Sequence, residues 1–305
     1  MTATIVLSTY NGEKFITEQL DSLRLQTRPA DEVLISDDCS TDSTPQIVKD
    51  YIQKYKLTGW IFKQNEKNAG WKKNFYKLLQ EAGCDLIFLC DQDDIWHRQK
   101  LELMIPAFEN QNINVLCCRQ LRRKDGKLSF SNKKINKVGL HHRKFSENFS
   151  YINRPGCTYA VRREWFKSIE PWWKDTMPHD ALLFRNAMLD DSLYFMQKGL
   201  IIRRIHENNA SIGKGKAKYQ IYLPYYDEVC NLLEDRVKND SRIEKAQKKL
   251  KKINKVRQWT KARSRMYEKT GLINYLRLCR YYRCYVHIVA FIKEIKIIKA
   301  MKSVK

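Results

Sequence analysis

Three carboxylates crowd one short stretch, FLCDQDDIWH (residues 88–97), in a chain of 305 residues whose formal charge is +23. They are Asp91, Asp93 and Asp94. Like charges this close repel, which raises at least one pKa by about a unit or more unless a cation intervenes. The run ahead of them, DLIFLC (85–90), is continuously apolar and predicts a buried strand, so Asp91 and Asp93 leave a sheet together. A plainer role is also open, because Asp93 or Asp94 suits the N-cap of a helix predicted over residues 95–108.

The elements that position these acids recur along the first hundred residues. TIVL (4–7) reads as a strand, and residues 12–26 as an amphipathic helix with Phe15, Ile16, Leu20, Leu23 and Leu25 on its apolar side. EVLIS (32–36), WIFKQN (60–65) and DLIFLC follow as strands, with helices predicted over 44–55 and 70–82 between them. Strand and helix alternating at this spacing imply parallel pairing through crossovers and an α/β sheet. Ligands of such sheets bind at the carboxyl ends of the strands. Polar clusters fall at four successive ends: Ser8-Thr9-Tyr10-Asn11, Asp37-Asp38, residues 65–70, and Asp91-Gln92-Asp93-Asp94. One crevice is expected to hold them.

Beyond residue 108 the pattern is less regular. A strand is predicted over 112–118, a basic surface excursion over 122–148, and a turn into a strand at RPGCTYAV (154–161). Pro178-His179-Asp180 precedes a helix predicted over 181–189, with Asp180 a candidate N-cap.

Residues 214–305 differ in kind. They carry 25 basic and 8 acidic side chains, against 32 and 26 in residues 1–213, and their helical patterns are long with few breakers. Two domains are expected, 1–213 and 214–305. The segment LINYLRLCRYYRCYVHIVAFIKEIKII (272–298) has the make-up of a basic amphipathic helix, which favours an anionic membrane surface; a hairpin folded onto the first domain is the alternative. Nothing reaches the roughly 20 apolar residues of a membrane span. The opening residues lack the charged start of a secretory signal, and nine scattered cysteines without a C-x-x-C pair suggest neither a disulfide framework nor a zinc site. A reducing, cytoplasmic setting is expected. No nucleic-acid partner is expected: no nucleic-acid-binding module is legible, and the acid cluster repels phosphate.

IVLSTYNGEKFITEQLDSLRLQT (5–27), EVLISDDCSTDST (32–44), NAGWKKNF (68–75) and FLCDQDDIWHRQKLE (88–102) closely resemble the first half of glycosyltransferase family 2. These are inverting enzymes of the GT-A fold, Rossmann-like with helices flanking a mostly parallel sheet, that build bacterial surface polysaccharides such as capsule and lipopolysaccharide. RPGCTYAV, PHDALLF and RRIHENNAS resemble the acceptor-side half of its rhamnosyltransferase-like members. The resemblance implies a UDP- or dTDP-sugar donor, held by Ser8, Tyr10, Asn11, Asp38, Asn68, Gly70 and Asp91. It implies Mg²⁺ or Mn²⁺ on Asp93, with His206 near the metal or diphosphate and Arg203 and Arg204 as further anion partners. It makes Asp180 the base that deprotonates a glycan or lipid-linked acceptor, although Ala181 stands where the family usually has tryptophan. An enzyme on the inner face of the cell membrane, peripheral and cytoplasmic, follows. A metal-dependent nucleotide-sugar hydrolase using the same acids is the alternative, though a two-metal site would ask for more ligands.

Overall fold

The computed structural model describes residues 1–123, 138–204, 217–269, 271–285 and 288–302; at 122–123, 217–223 and 296–302 only the backbone is described. The chain forms two compact units. The first comprises Met1–Arg143, Arg154–Ala187 and Asp191–Glu207, and the second Lys144–Asn153, Met188–Asp190 and Asn208–Lys305.

The first unit is built on β1 (Ala3–Thr9), β2 (Glu32–Asp37), β3 (Trp60–Gln64) and β4 (Leu86–Asp91), connected by α1 (Ile16–Arg24), α2 (Thr44–Tyr55) and α3 (Trp71–Glu81). β1, β2 and β4 are buried and apolar on both faces because helices cover both sides of a parallel sheet, while β3, at the edge, is largely exposed. Ile5, Leu7, Val33, Ile35, Phe88 and Cys90 pack with Ile16, Leu20 and Leu23 of α1 in one core. Leu25 falls outside that face and is exposed, because α1 has already ended at Arg24.

The rest of the unit is β5 (Ile95–Trp96), α4 (Lys100–Met104), β6 (Val115–Arg123), β7 (Leu140–His142), β8 (Tyr159–Arg162), α5 (Arg163–Ile169), α6 (His179–Leu189) and β9 (Leu193–Arg204). The sheet runs β3-β2-β1-β4-β8-β6-β9-β5, with β7 paired to β9. Its first four strands are parallel throughout, while β8 lies antiparallel to both β4 and β6. The helix expected over 95–108 does not form as one element. Ile95 and Trp96 instead pair antiparallel with Ile202 and Ile201, and the helix begins only at Lys100, so neither Asp93 nor Asp94 caps it.

The second unit contains α7 (Ala217–Asn239), α8 (Ala246–Glu268), α9 (Leu272–Cys279) and α10 (Ile288–Lys302). Two of its buried arginines are ion-paired, which offsets the cost of burying them. Arg236 Nη2 donates to both oxygens of Asp190 at 2.8 and 2.9 Å, and its Nε donates to Asp240 at 3.2 Å. Arg263 meets Glu294 at 2.7 Å, and Tyr267 and Tyr285 also donate to Glu294. No described helix is long and apolar enough to cross a membrane.

Candidate active site

The parallel register sets the site's first row. Ser8 of β1 stands between Ser36 of β2 and Asp91 of β4, and Thr9 pairs with Asp37. Past this row the two acids of β2 have separate tasks. Asp37, fully buried, accepts hydrogen bonds from Thr9 Oγ1 at 2.8 Å and from Ser40 N and Oγ at 2.8 and 2.6 Å, closing the turn through Cys39, whose φ is +65°. Asp38 turns to the third loop, where its carboxylate accepts from Asn65 Nδ2 at 3.0 Å, Ala69 N at 2.8 Å and Gly70 N at 2.8 Å. Asn68 Oδ1 shares the Gly70 amide at 3.0 Å. Gly70 has φ +83°, a backbone conformation that favours glycine.

Asn74, on the buried face of α3, ties these loops together. It donates to Ser8 Oγ and Ser36 O at 2.8 and 2.9 Å and accepts from Ser36 Oγ and Asn65 Nδ2 at 2.6 and 3.1 Å. Gln92 acts similarly between β4 and β1, its amide making two 2.8 Å hydrogen bonds to the backbone N and O of Tyr10. Asn11, at φ +48°, accepts from Thr41 N at 2.9 Å and donates its own N–H to Ser40 Oγ at 2.9 Å. Asn11 and Gln92 therefore hold the Tyr10 backbone from two sides, while the Tyr10 side chain remains 47% exposed. Neither Asn74 nor Gln92 was singled out from the sequence, although both lie inside the motif stretches NAGWKKNF and DQDD.

The acids after β4 are not equivalent. Asp94 is 1% exposed, and neither of its oxygens meets a full hydrogen-bond partner. Burial, then the nearby Asp93 charge, pushes its pKa up to about 7, against the lowering pull of the Cys157 thiol, the Arg203 charge and the Arg204 backbone. Burial and the charges of Asp94 and Asp93 likewise hold the Asp91 carboxyl well above the usual range, with Arg203 pulling it down. Carboxylate oxygens of Asp91 and Asp94 and the Cys157 sulfur lie within 4.8 Å of one another, a grouping that Asp93 does not join. Mutually repelling carboxylates, with the Asp94 oxygens short of partners, fit a hard divalent cation. Burial and the two acids raise the Cys157 thiol as well, so it stays protonated beside the carboxylates rather than offering a thiolate.

Below the acids lies Lys100, fully buried, its Nζ donating to Cys157 O at 3.0 Å and sitting 3.2 Å from the Trp96 ring centre. It anchors the Gly156-Cys157 turn, which in turn reaches α6. A Cβ on Gly156 would come within 2.7 Å of His179 Nε2 and 3.3 Å of Asp180 Cβ, so only glycine lets the turn approach this closely. Asp180 lies in the first turn of α6, which begins at His179, and is not its cap. Its Oδ1 accepts from Ala181 N at 2.7 Å, and burial raises its pKa against the pull of Arg185 and Arg203. His179 is buried against Phe75, ring centres 4.0 Å apart, and burial lowers its pKa to about 3, so it is neutral. Trp71, 41% exposed, meets His179 edge-on at 5.6 Å.

Consecutive residues of β9 point to opposite faces, and this separates the two arginines. Arg203 acts electrostatically on Asp91, Asp94 and Asp180. Arg204 pairs with Glu18 and lies over the Phe15 ring. His206 lies outside the described residues.

A parallel half-sheet with acids at its carboxyl ends, continued by strands of mixed direction in which β8 is antiparallel to β4 and β6 while β9 is parallel to β6, is the GT-A arrangement. The profile of Glycosyl transferase family 2 matches residues 4–170, more than half of the chain. The chain belongs to glycosyltransferase family 2 and is a glycosyltransferase. It is 30% identical over 229 residues to the dTDP-rhamnosyl transferase RfbG of Shigella flexneri, covering 70% of this chain and 77% of that one. To the GalNAc(5)-diNAcBac-PP-undecaprenol beta-1,3-glucosyltransferase of Campylobacter jejuni it is 24% identical over 238 residues, 77% of this chain and 74% of the other. The crystal structure of Staphylococcus aureus TarS 1–349 in complex with UDP-GlcNAc shares the fold, with a TM-score of 0.63 at 20% identity over 92% of this chain and 79% of that chain.

Proposed function

We propose that the enzyme transfers a hexosyl or rhamnosyl residue, with inversion, from a UDP- or dTDP-sugar to a glycan or lipid-linked acceptor in bacterial surface polysaccharide synthesis. The observation that carries this reading is the pairing of a buried carboxyl with raised pKa, Asp180, with the acid cluster of Asp91, Asp93 and Asp94 beside it. Asp180 takes the proton of the acceptor hydroxyl as its oxygen bonds the anomeric carbon, and the bond from that carbon to the diphosphate oxygen breaks. Its raised pKa, which burial causes, makes it a better base than an ordinary carboxylate.

The donor's base is assigned to the loops after β1, β2 and β3. Asp38 has an oxygen with one protein partner, Gly70 N, and so retains capacity for a base N–H. The exposed Tyr10 ring offers a stacking face, and Ser8, Asn11, Asn68 and Gly70 shape the backbone around it. Asp91 and Asp94, whose oxygens converge, would hold Mg²⁺ or Mn²⁺, and Asp93, which resembles the family's metal-contacting acid, is assigned to the same ion, which when bound stabilises negative charge on the leaving diphosphate. Arg203 adds a fixed positive charge on the same side, and His206 is assigned nearby. Trp71 presents an exposed apolar face against His179, the residue before Asp180, a place for an acceptor ring in a chain with Ala181 after the PHD motif.

The relatives support the donor and acceptor classes: one is named for dTDP-rhamnose, one for an undecaprenol-linked acceptor, and the TarS structure holds UDP-GlcNAc. We place the enzyme on the cytoplasmic face of an anionic membrane, attached through residues 214–305. Incubation with a panel of nucleotide sugars, read by mass spectrometry with and without glycan acceptors, tests this reading. Acceptor-dependent transfer is expected, with the anomeric configuration inverted in the product's NMR spectrum. Rapid donor turnover without acceptor would favour a hydrolase instead.

A further inference from the structure

The second unit turns apolar side chains outward on two short helices. On α9, Leu272, Ile273 and Leu276 are 73, 69 and 56% exposed; on α10, Ile288, Val289 and Ile292 are 55, 49 and 45% exposed. Each set follows the same i, i+1, i+4 spacing, which lines one side of a helix. Other positions of the two helices are packed: Leu278, Phe291 and Ile295 are buried, and Tyr275 of α9 meets Phe291 of α10 with ring centres 6.2 Å apart. The outward residues are therefore not left over from a poorly packed hairpin. They form stripes on helices that already bury Leu278, Phe291 and Ile295.

Charge indicates what covers the stripes. Arg277, Arg280, Arg283 and Lys293 are all exposed among them. From residue 269 to the end there are nine Lys and Arg and a single acid, Glu294, which is buried in its pair with Arg263. A second copy of the chain laid stripe on stripe would set these cations against one another. An anionic lipid surface matches both features, taking the apolar side chains below its headgroups and the cations among them.

We infer that α9 and the first turns of α10 form a monotopic membrane anchor, with Leu272, Ile273, Leu276, Ile288, Val289 and Ile292 entering the acyl boundary of an anionic bilayer. This rests on the membrane placement proposed above and adds insertion to electrostatic attachment. The distinction is measurable, because salt screens the cations, with the Debye length falling from about 10 Å at 0.1 M to about 3 Å at 1 M, but leaves apolar burial intact.

The test uses the full chain and vesicles of phosphatidylglycerol and phosphatidylcholine. Leu272→Ser, Ile273→Ser and Leu276→Ser combined should leave the thermal melt unchanged, since all three side chains are exposed, and should lower vesicle affinity by about tenfold or more. The combined variant should also lose the fraction that stays bound at 1 M salt. Ile273→Trp should give fluorescence that is quenched by brominated acyl chains. A serine variant that binds like the parent, or Ile273→Trp emission untouched by bromolipid, overturns insertion while leaving electrostatic attachment standing. Absence of any binding to anionic vesicles overturns both. Self-association in the absence of lipid that the serine variant abolishes would assign the stripes to a second copy and overturn the anchor.

Discussion

Asp180 and Asp94 are both buried carboxyls with raised pKa values, and their positions give them opposite requirements. Asp180 must be ionised to accept a proton. Asp180→Asn keeps the shape and removes that capacity, so kcat should fall by about 10²- to 10⁴-fold while donor affinity, measured by calorimetry, stays near the parent value. A near-parental rate would move the base elsewhere. Asp94 has no proton to move and carries a cost instead. It ionises near 3.9 in an unfolded chain and at about 7 in the fold. Between those values the native state binds more protons than the unfolded one, so this contribution to stability is full at low pH, falls as pH rises from about 4 to about 7, and is level above that. Each pKa unit corresponds to about 1.4 kcal/mol. Metal-free protein should therefore lose part of its stability to this group between pH 5 and pH 8, and Mn²⁺ should restore it at pH 8. Asp94→Asn should flatten that slope and blunt the response to Mn²⁺; thermal melts with an unchanged slope would remove Asp94 from this role.

Loops here are held by side-chain amides, and that makes them open to small changes. A Cβ on Gly12 would lie 2.3 Å from Gln92 Oε1, so Gly12→Ala must displace the amide that grips the Tyr10 backbone. We expect a raised donor KM with little change in kcat, the same result for Gln92→Ala, and no further loss in the double variant because both remove one clamp. Additive losses in steady-state kinetics would show the two acting separately. Asn74→Ala removes the partner of Ser36 Oγ, Ser36 O and Ser8 Oγ at the heart of the same network and should cost about 1–3 kcal/mol in denaturant unfolding. The first four strands and α1–α3 were legible in the sequence because apolar runs alternate with amphipathic periods, and each strand end falls within a residue or two of its expected place. The later strands were not. In β9 the apolar pattern is interrupted at Gln197-Lys198-Gly199, where the register against β6 shifts, so a twelve-residue strand looks like fragments. The site was legible in its acids and its loops but not in which acid is buried. Asp94 looks like a cap in DQDDIW, and only the pairing of Ile95 and Trp96 with β9, together with the arrival of Cys157 from another loop, turns it inward.

At the scale of the molecule, charge is divided unevenly, with residues 1–213 near balance and the net excess of 17 positive charges in residues 214–305. If that excess serves attachment, salt should act on where the enzyme is rather than on how it reacts. Transfer to an acceptor carried in anionic vesicles should fall by about tenfold between 0.1 and 1 M salt, as the Debye length contracts to about 3 Å, whereas transfer to a soluble glycan acceptor should change much less. Equal salt sensitivity in the two assays would detach the basic region from membrane work. The order of strands along the chain adds a consequence in time. β5 follows β4 directly, yet its partner β9 ends at Arg204, and Arg203 on that strand is the positive charge facing Asp91 and Asp94. Translation at about 5–20 residues per second leaves a nascent chain on the order of ten seconds in which the acids exist without their arginine. The parallel half of the sheet has all its residues during that interval, but β4 presents an open edge until β8 arrives to pair with it. A ribosome that stalls in that window therefore displays a templating edge beside unneutralised acids, and the catalytic crevice is the last part of the first unit to come into being.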